Sequence, residues 1–244
     1  SNNLDILIFA NLINSENIEE NYDFYFGNLA NVLEKNNIDY KIIYRNFTNK
    51  TSNKLNERSN KNIIILPERV KFFSELYLII KVFIYYIIFK KNLKNYIYKK
   101  NKKIYYFFCQ IDIFFTIIIN LRFELQTKYL LQIFKPKNII CTFEGHSWER
   151  ILFKTIKEFN SSINCLAYQH TVLTKYQNSI FLPFPKEFNP DAILTIGDHN
   201  YNILKKNSKI KKLIKVGSPK NNLLNFHYKS KRANKHFLRI LILP

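Results

Sequence analysis

The 244 residues carry 38 Lys and Arg against 18 Asp and Glu, a net charge of +20, and 47% of them are apolar. That length and apolar share support one large domain or two small ones around a real core. Three cysteines in apolar runs (Cys109, Cys141, Cys165), none in a Cys-x-x-Cys spacing, argue against a disulfide scaffold and read as small buried hydrophobes of a reducing compartment.

The positive balance favours anionic partners: phosphates, nucleotide sugars or an anionic membrane face. Nucleic acid is disfavoured, because the lysines are scattered and no nucleic-acid-binding signature accompanies them. Asn, Lys, Ile, Tyr and Phe are overused throughout, a skew of the kind genome composition imposes, so part of the Lys excess is a solvated surface. No basic–apolar–cleavage pattern opens the chain.

In chain order, Leu4 to Phe9 reads as a short buried strand. Asn17 to Asn36 places Ile18, Tyr22, Tyr25, Phe26, Leu29, Val32 and Leu33 at helical spacing behind early acids, and predicts a helix. Tyr40 to Tyr44 is a second strand, so the chain opens β-α-β, the mark of a parallel sheet. Asn46 to Lys61 is polar and predicts a loop, and Asn62 to Leu66 a third strand closed by Pro67.

Lys71 to Lys100 follows as a long helical stretch, strongly apolar from Phe72 to Phe89. A spanning helix tolerates a central Lys81 poorly, so a buried or interfacial helix is expected, with a membrane-embedded protein as a third reading of the chain. The Lys90-Lys91 pair and the cluster at Lys99, Lys100, Lys102 and Lys103 suit anionic headgroups. A second apolar stretch, Ile104 to Leu121, runs into an amphipathic helix ending near Phe134, ahead of the breaker Pro136.

The remaining elements are a strand from Asn138 to Phe143, a helix opening at His146, a strand from Ile163 to Tyr168, a long loop from Thr171 to Pro190, a strand from Ala192 to Ile196, a short helix from Asn200 to Lys206 and a strand from Leu213 to Val216. Lys220 to His236 is basic and aperiodic and reads as a linker. Phe237 to Pro244 reads as the first strand of a further domain that the chain does not complete. The expected organisation is therefore a Rossmann-like α/β domain over 1–219, with helices on both faces of a parallel sheet, a linker over 220–236 and a truncated second domain from 237.

The chemistry concentrates where two strands end. Cys141-Thr-Phe-Glu-Gly-His-Ser-Trp-Glu-Arg150 and Leu166-Ala-Tyr-Gln-His170 put titratable residues at neighbouring strand termini, where open α/β sheets bind ligands. Glu144 precedes Gly145, which permits a tight turn and a ligand's close approach. Its carboxylate suits a general base or, equally, a cap for the helix that follows. His170 suits a base or a phosphate partner, or a satisfied structural role. His146 suits a phosphate or hydroxyl partner, or a first-turn surface position.

Glu149 lies one turn past His146 on the same face, where helix stabilisation explains it adequately. Trp148, the one Trp of the chain, suits a sugar-stacking platform, though such a residue in a helix is more often core. Gln169 can donate to and accept from sugar hydroxyls. Asp191 reads as a turn residue, Asp198 as a helix cap and Gly217-Ser218-Pro219 as a turn. No metal-ligand constellation, Gly-rich phosphate loop or Asp-x-Asp triplet stands out, so neither metal nor cofactor is expected, and a single-domain metal-dependent glycosyltransferase is disfavoured.

Glu144-Gly-His-Ser-Trp-Glu149, Tyr168-Gln-His170, Pro190-Asp191, Ile196-Gly197, Val216-Gly-Ser-Pro219 and Ile240 to Pro244 fall in an order that resembles bacterial surface-carbohydrate (capsule and lipopolysaccharide) glycosyltransferases of the two-Rossmann-domain, GT-B-like type. The chain is similar to those using CMP-activated sugars such as Kdo, most clearly over 138–219. The resemblance implies the acceptor-side, N-terminal half of such an enzyme. It also implies a nucleotide-sugar donor held mainly by the other domain, a glycan or glycolipid acceptor, and a cytoplasmic location peripheral to the inner face of the membrane. In that frame Glu144 and His170 are the catalytic candidates, and Gly145, His146, Trp148, Glu149 and Gln169 line the substrate. The alternative is a non-catalytic Rossmann-like module that binds a glycan or a partner protein.

Overall fold

A computed structural model describes residues 3–18, 22–100, 103–174, 179–182, 184–207 and 212–219, with the backbone alone for residue 17, for 93–100 and for 103–114. The linker expected over 220–236 and the strand expected over 237–244 lie outside the described residues.

Seven strands form one all-parallel sheet: β1 (Ile6–Leu12), β2 (Tyr40–Asn46), β3 (Ile63–Ile65), β4 (Asn138–Thr142), β5 (Asn164–Gln169), β6 (Ala192–Thr195) and β7 (Leu213–Lys215). Their spatial order is β3-β2-β1-β4-β5-β6-β7, a Rossmann-like arrangement whose winding reverses between β1 and β4. β1 lies inside the sheet, between β2 and β4, and is apolar on both faces, with Leu7, Ile8, Phe9 and Ala10 all buried.

Helices cover both faces. On one, α1 (Leu29–Lys35) and α2 (Ser52–Asn56) pack Ala30, Leu33 and Leu55 against Ile8, Ile42 and Tyr44. On the other, α4 (Lys103–Phe134) and α5 (Ser147–Phe159) pack Phe123, Leu131, Trp148, Leu152 and Phe153 against Phe9, Ile43, Ile139 and Cys141. Cys141 and Cys165 are buried free thiols, and burial pushes both thiols up. α6 (Asp198–Asn207) adds Leu204 beside β6 and β7.

Three sequence expectations change. The helix expected over 17–36 is confined to α1, preceded by a 3-10 turn (Ser15–Ile18) and a loop. The Asp23 carboxylate accepts the backbone N–H groups of Tyr25 and Phe26 at 2.7 and 2.6 Å and the Tyr44 hydroxyl at 2.7 Å, while Gly27 adopts φ +59°. A side chain that captures nearby amides offers the backbone an alternative to the helix, so Tyr25 and Phe26 reach the core from a loop.

The polar segment 46–61 contains α2, where Ser52 Oγ donates to the Leu66 carbonyl at 2.8 Å. The long loop after β5 carries two 3-10 turns, Ser179–Phe181 and Lys186–Phe188.

The longest elements are α3 (Phe72–Lys100) and α4, consecutive in the chain and packed on each other. A two-pronged pair, Arg122 Nε and Nη2 to the Glu75 carboxylate at 2.7 and 2.9 Å, fixes them near the sheet. α4 reaches the core through Phe123, Leu130 and Leu131, whereas α3 buries only Leu78 and Val82 among its described side chains. Phe72, Phe73, Leu76, Ile80, Phe83, Ile84 and Ile87 stay exposed. The segment Phe72–Asn92 is long and apolar enough to cross a membrane.

Candidate functional site

The β4 strand ends at Thr142, and the chain turns through Phe143, Glu144 and Gly145 into α5, whose N-cap is His146. Glu149 builds this turn. Its carboxylate accepts the backbone N–H of Glu144 at 3.1 and 3.0 Å, of Gly145 at 2.8 Å and of His146 at 2.8 Å. The last is the N3 carboxylate reaching back to the N-cap amide. Burial pushes the Glu149 carboxyl up to about 7, against the pull of those three amides. Its placement inside the turn answers the sequence question for Glu149: the side chain faces backbone donors rather than a substrate.

Gly145 adopts φ +86°, and a Cβ there would meet the backbone of Ser179 at 2.5 Å. What approaches Gly145 closely is thus the 179–182 segment, which Ser179 Oγ ties down by donating to the Glu144 carbonyl at 2.7 Å. Arg150 fastens the same segment from below. It bonds the carbonyls of Ser179 and Ile180 and the side chain of Asn189, and stacks on Phe143 and Phe184.

With the turn fixed, the Glu144 carboxylate bridges two imidazoles. Oε2 lies 3.0 Å from His146 Nε2, and Oε1 lies 3.6 Å from His170 Nε2. The His146 contact, then Thr171 and the charge of His170, hold the Glu144 carboxyl below its ordinary range, and Glu144 in turn raises His146. His146 is 55% exposed and His170 11%. The His170 ring packs edge-on to Tyr25 at 4.6 Å and against Tyr168 at 6.3 Å. Residues far apart in sequence, from the loop before α1, the turn after β4 and the end of β5, therefore meet beside the crevice between β1 and β4. Strand order makes that crevice the preferred ligand position in an open α/β sheet.

Two other expected substrate contacts point elsewhere. Trp148 is 5% exposed and packs against Phe123 at 5.7 Å, so its indole is held in the core and is not open to stack on a sugar. Gln169 is fully buried: its amide donates to Thr171 and its carbonyl accepts from Asn200, which joins β5 to α6. Both are read from sequence as ligand contacts because type and position suit a sugar; burial assigns them to the scaffold.

Sequence reasoning passed over two residues of the site, Tyr25 and Arg45. Tyr25 lies inside the stretch read as a helix. Arg45 follows the apolar run of β2, and nothing in its local pattern marks it. The parallel register places Arg45 opposite Asn11 at the carboxyl edge of the sheet.

Among the described residues, no group of three or more His, Cys, Asp and Glu side chains is arranged to hold a metal ion. Two concavities of about 540 and 500 Å³ lie at the opposite, amino edge of the sheet, lined by residues such as Leu4, Asn37, Lys61 and Lys135, Phe159, Asn164. Neither contains the paired acid and imidazoles of the carboxyl edge. No protein-family model and no curated protein sequence matches the chain.

Proposed function

We propose that the chain is a glycosyltransferase, or the acceptor-side half of a GT-B-like one, moving a sugar from a nucleotide-activated donor such as a CMP-sugar to a surface polysaccharide or glycolipid. The observation that carries this reading is the Glu144 carboxylate set between His146 and His170 at the switch-point crevice. Glycosyl transfer to a hydroxyl requires a group that takes the acceptor proton as the new bond forms. In this reading the Glu144 carboxylate, flanked by His146 and His170, takes that proton. Glu144 and His170 remain the core of the site, and His146 is its solvent-facing arm.

The exposed apolar face of α3 supports an acceptor held at a membrane. Its row of Phe, Leu and Ile side chains, with Lys81, Lys90 and Lys91 on the same helix, has the composition of a helix lying in an anionic interface. The protein then works on the inner, cytoplasmic face of the membrane as a peripheral enzyme.

The test is sugar transfer by the purified protein, using CMP-, UDP- and GDP-sugars as parallel donors and a membrane extract as acceptor. Glu144→Gln and His170→Gln each lower turnover by at least about a hundredfold, within the range general acid–base catalysis contributes, with circular dichroism unchanged. Full turnover in both folded variants removes these residues from the mechanism. Absence of transfer from every donor by the wild type favours a binding module instead.

A further inference from the structure

Two of the arginines near this end of α4 and α5 have protein partners that account for them. Arg122 is held by the Glu75 carboxylate through two hydrogen bonds, and Arg150 by three backbone carbonyls and Asn189. Arg45 differs. Its guanidinium is half-buried among three aromatic rings, 4.6 Å from the centroid of Trp148, 5.2 Å from Phe47 and 5.4 Å from Phe123. Rings attract the cation through their faces but accept no strong hydrogen bond. Among the described residues no carboxylate comes within ion-pair distance of Arg45, and its contact with Asn11 Oδ1 is a long 3.5 Å.

A guanidinium carries five donors in a planar fork that matches two oxygens of a phosphate. Taking such a group partly out of water without an anion in ion-pair contact is unfavourable; burial lowers the Arg45 guanidinium to about 10, against the pull of the Glu149 charge from beyond ion-pair distance. Its position is that of a ligand group. β2 ends there beside β1, at the carboxyl edge next to the switch point, and its charge acts on both Glu149 and His146.

We infer that Arg45, stacked on Trp148 and steadied by Asn11, is a phosphate-binding group that anchors a phosphate ester in the crevice beside Glu144 and His146. This deepens the proposed function, on which it rests for the identity of the ester: either the nucleotide phosphate of the donor or the phosphate of a lipid-linked acceptor. The shared chemistry is a tetrahedral oxyanion gripped by a planar fork. Trp148 is then a positioning residue, the platform that keeps the fork flat and the site dry on one side.

Because Trp148 is the one Trp of the chain, its fluorescence reports on the cation stacked over it. The experiment titrates the purified chain with inorganic phosphate and pyrophosphate while following that emission. Wild type gives a saturable change. Arg45→Met, which keeps an apolar stem over the indole and removes the charge, weakens binding at least about tenfold; Arg45→Gln serves if the Met variant unfolds. Arg45→Lys, a point charge without the fork, falls between. CMP and dihexanoyl phosphatidic acid, run as separate arms, tell donor from acceptor phosphate by which competes with pyrophosphate.

A wild type with no saturable change, or a folded neutral variant that titrates like wild type, overturns the inference. Pyrophosphate binding is read without any sugar transfer. A chain that binds pyrophosphate through Arg45 yet transfers from no donor leaves the inference standing while the glycosyltransferase reading falls.

Discussion

At the scale of single residues, the exposed Glu144–His146 pair is the most directly testable electrostatic feature. Glu144 accepts from His146 and lowers its own carboxyl in doing so; the same contact raises His146. The signs fix a pH window. The depressed Glu144 contributes stability to the turn above its ordinary 4.5 and loses it as pH falls through its lower folded value. The raised His146 contributes fully below its ordinary 6.5 and loses its share as pH rises through its higher folded value. The pair is therefore strongest between those two ordinary values. An NMR titration of the His146 ring should show a midpoint above 6.5 that falls in Glu144→Gln. An unchanged midpoint in that variant means the two side chains do not interact in solution.

At the scale of elements, the β4–α5 turn depends on one buried carboxylate. Glu149 accepts from three successive amides of a partly buried turn. Glu149→Ala should cost about 3 kcal/mol in urea unfolding, since buried donors left unmade cost roughly 1–3 kcal/mol each and the loop relaxes in part. Glu149→Gln retains an acceptor oxygen and should recover most of that loss. Equal stability of the Ala variant and wild type would show that water replaces the carboxylate. Sequence reasoning already had the terms for this: a Glu three residues past an N-cap is a known way to close a helix start. It lacked the burial that decides between such a role and a catalytic one.

The same element also shows why Glu144 and Glu149 part ways. Both are carboxylates flanking one turn, yet Glu144 follows the strand on the face toward Tyr25 and His170, while Glu149 folds back beneath the backbone. Their spacing alone did not distinguish a base from a brace.

At the scale of the whole molecule, the core takes in Phe123, Leu130 and Leu131 of α4 but leaves the long face of α3 uncovered. Contiguous exposed apolar surface of this kind marks an interaction site. Phosphatidylglycerol–phosphatidylcholine vesicles should therefore co-sediment the chain at low ionic strength. Replacing two exposed anchors, Ile80→Gln with Phe83→Gln, should reduce the bound fraction severalfold. Both side chains lie at the surface, so the stability change should stay within about 0.5 kcal/mol each. Equal sedimentation of the variant, or a wild type that stays in solution while forming dimers, assigns that face to another copy of the chain.

The alternation of short apolar strands with helical stretches was enough to specify a parallel α/β sheet and to bring attention to the ends of β4 and β5, because strand and helix periods and their punctuation are local properties of the sequence. The loop before α1 escaped that reading, since a single carboxylate, Asp23, outcompetes the helical pattern through contacts that include Tyr44 from a different strand. Tertiary structure alone decided which candidates face the crevice and which brace it. It turned Trp148, Glu149 and Gln169 inward, paired Glu144 with two imidazoles, and carried Arg45 from β2 onto the indole of α5. Such roles are set by what surrounds each side chain once the strands are in register, and those neighbours come from parts of the chain that no local pattern connects.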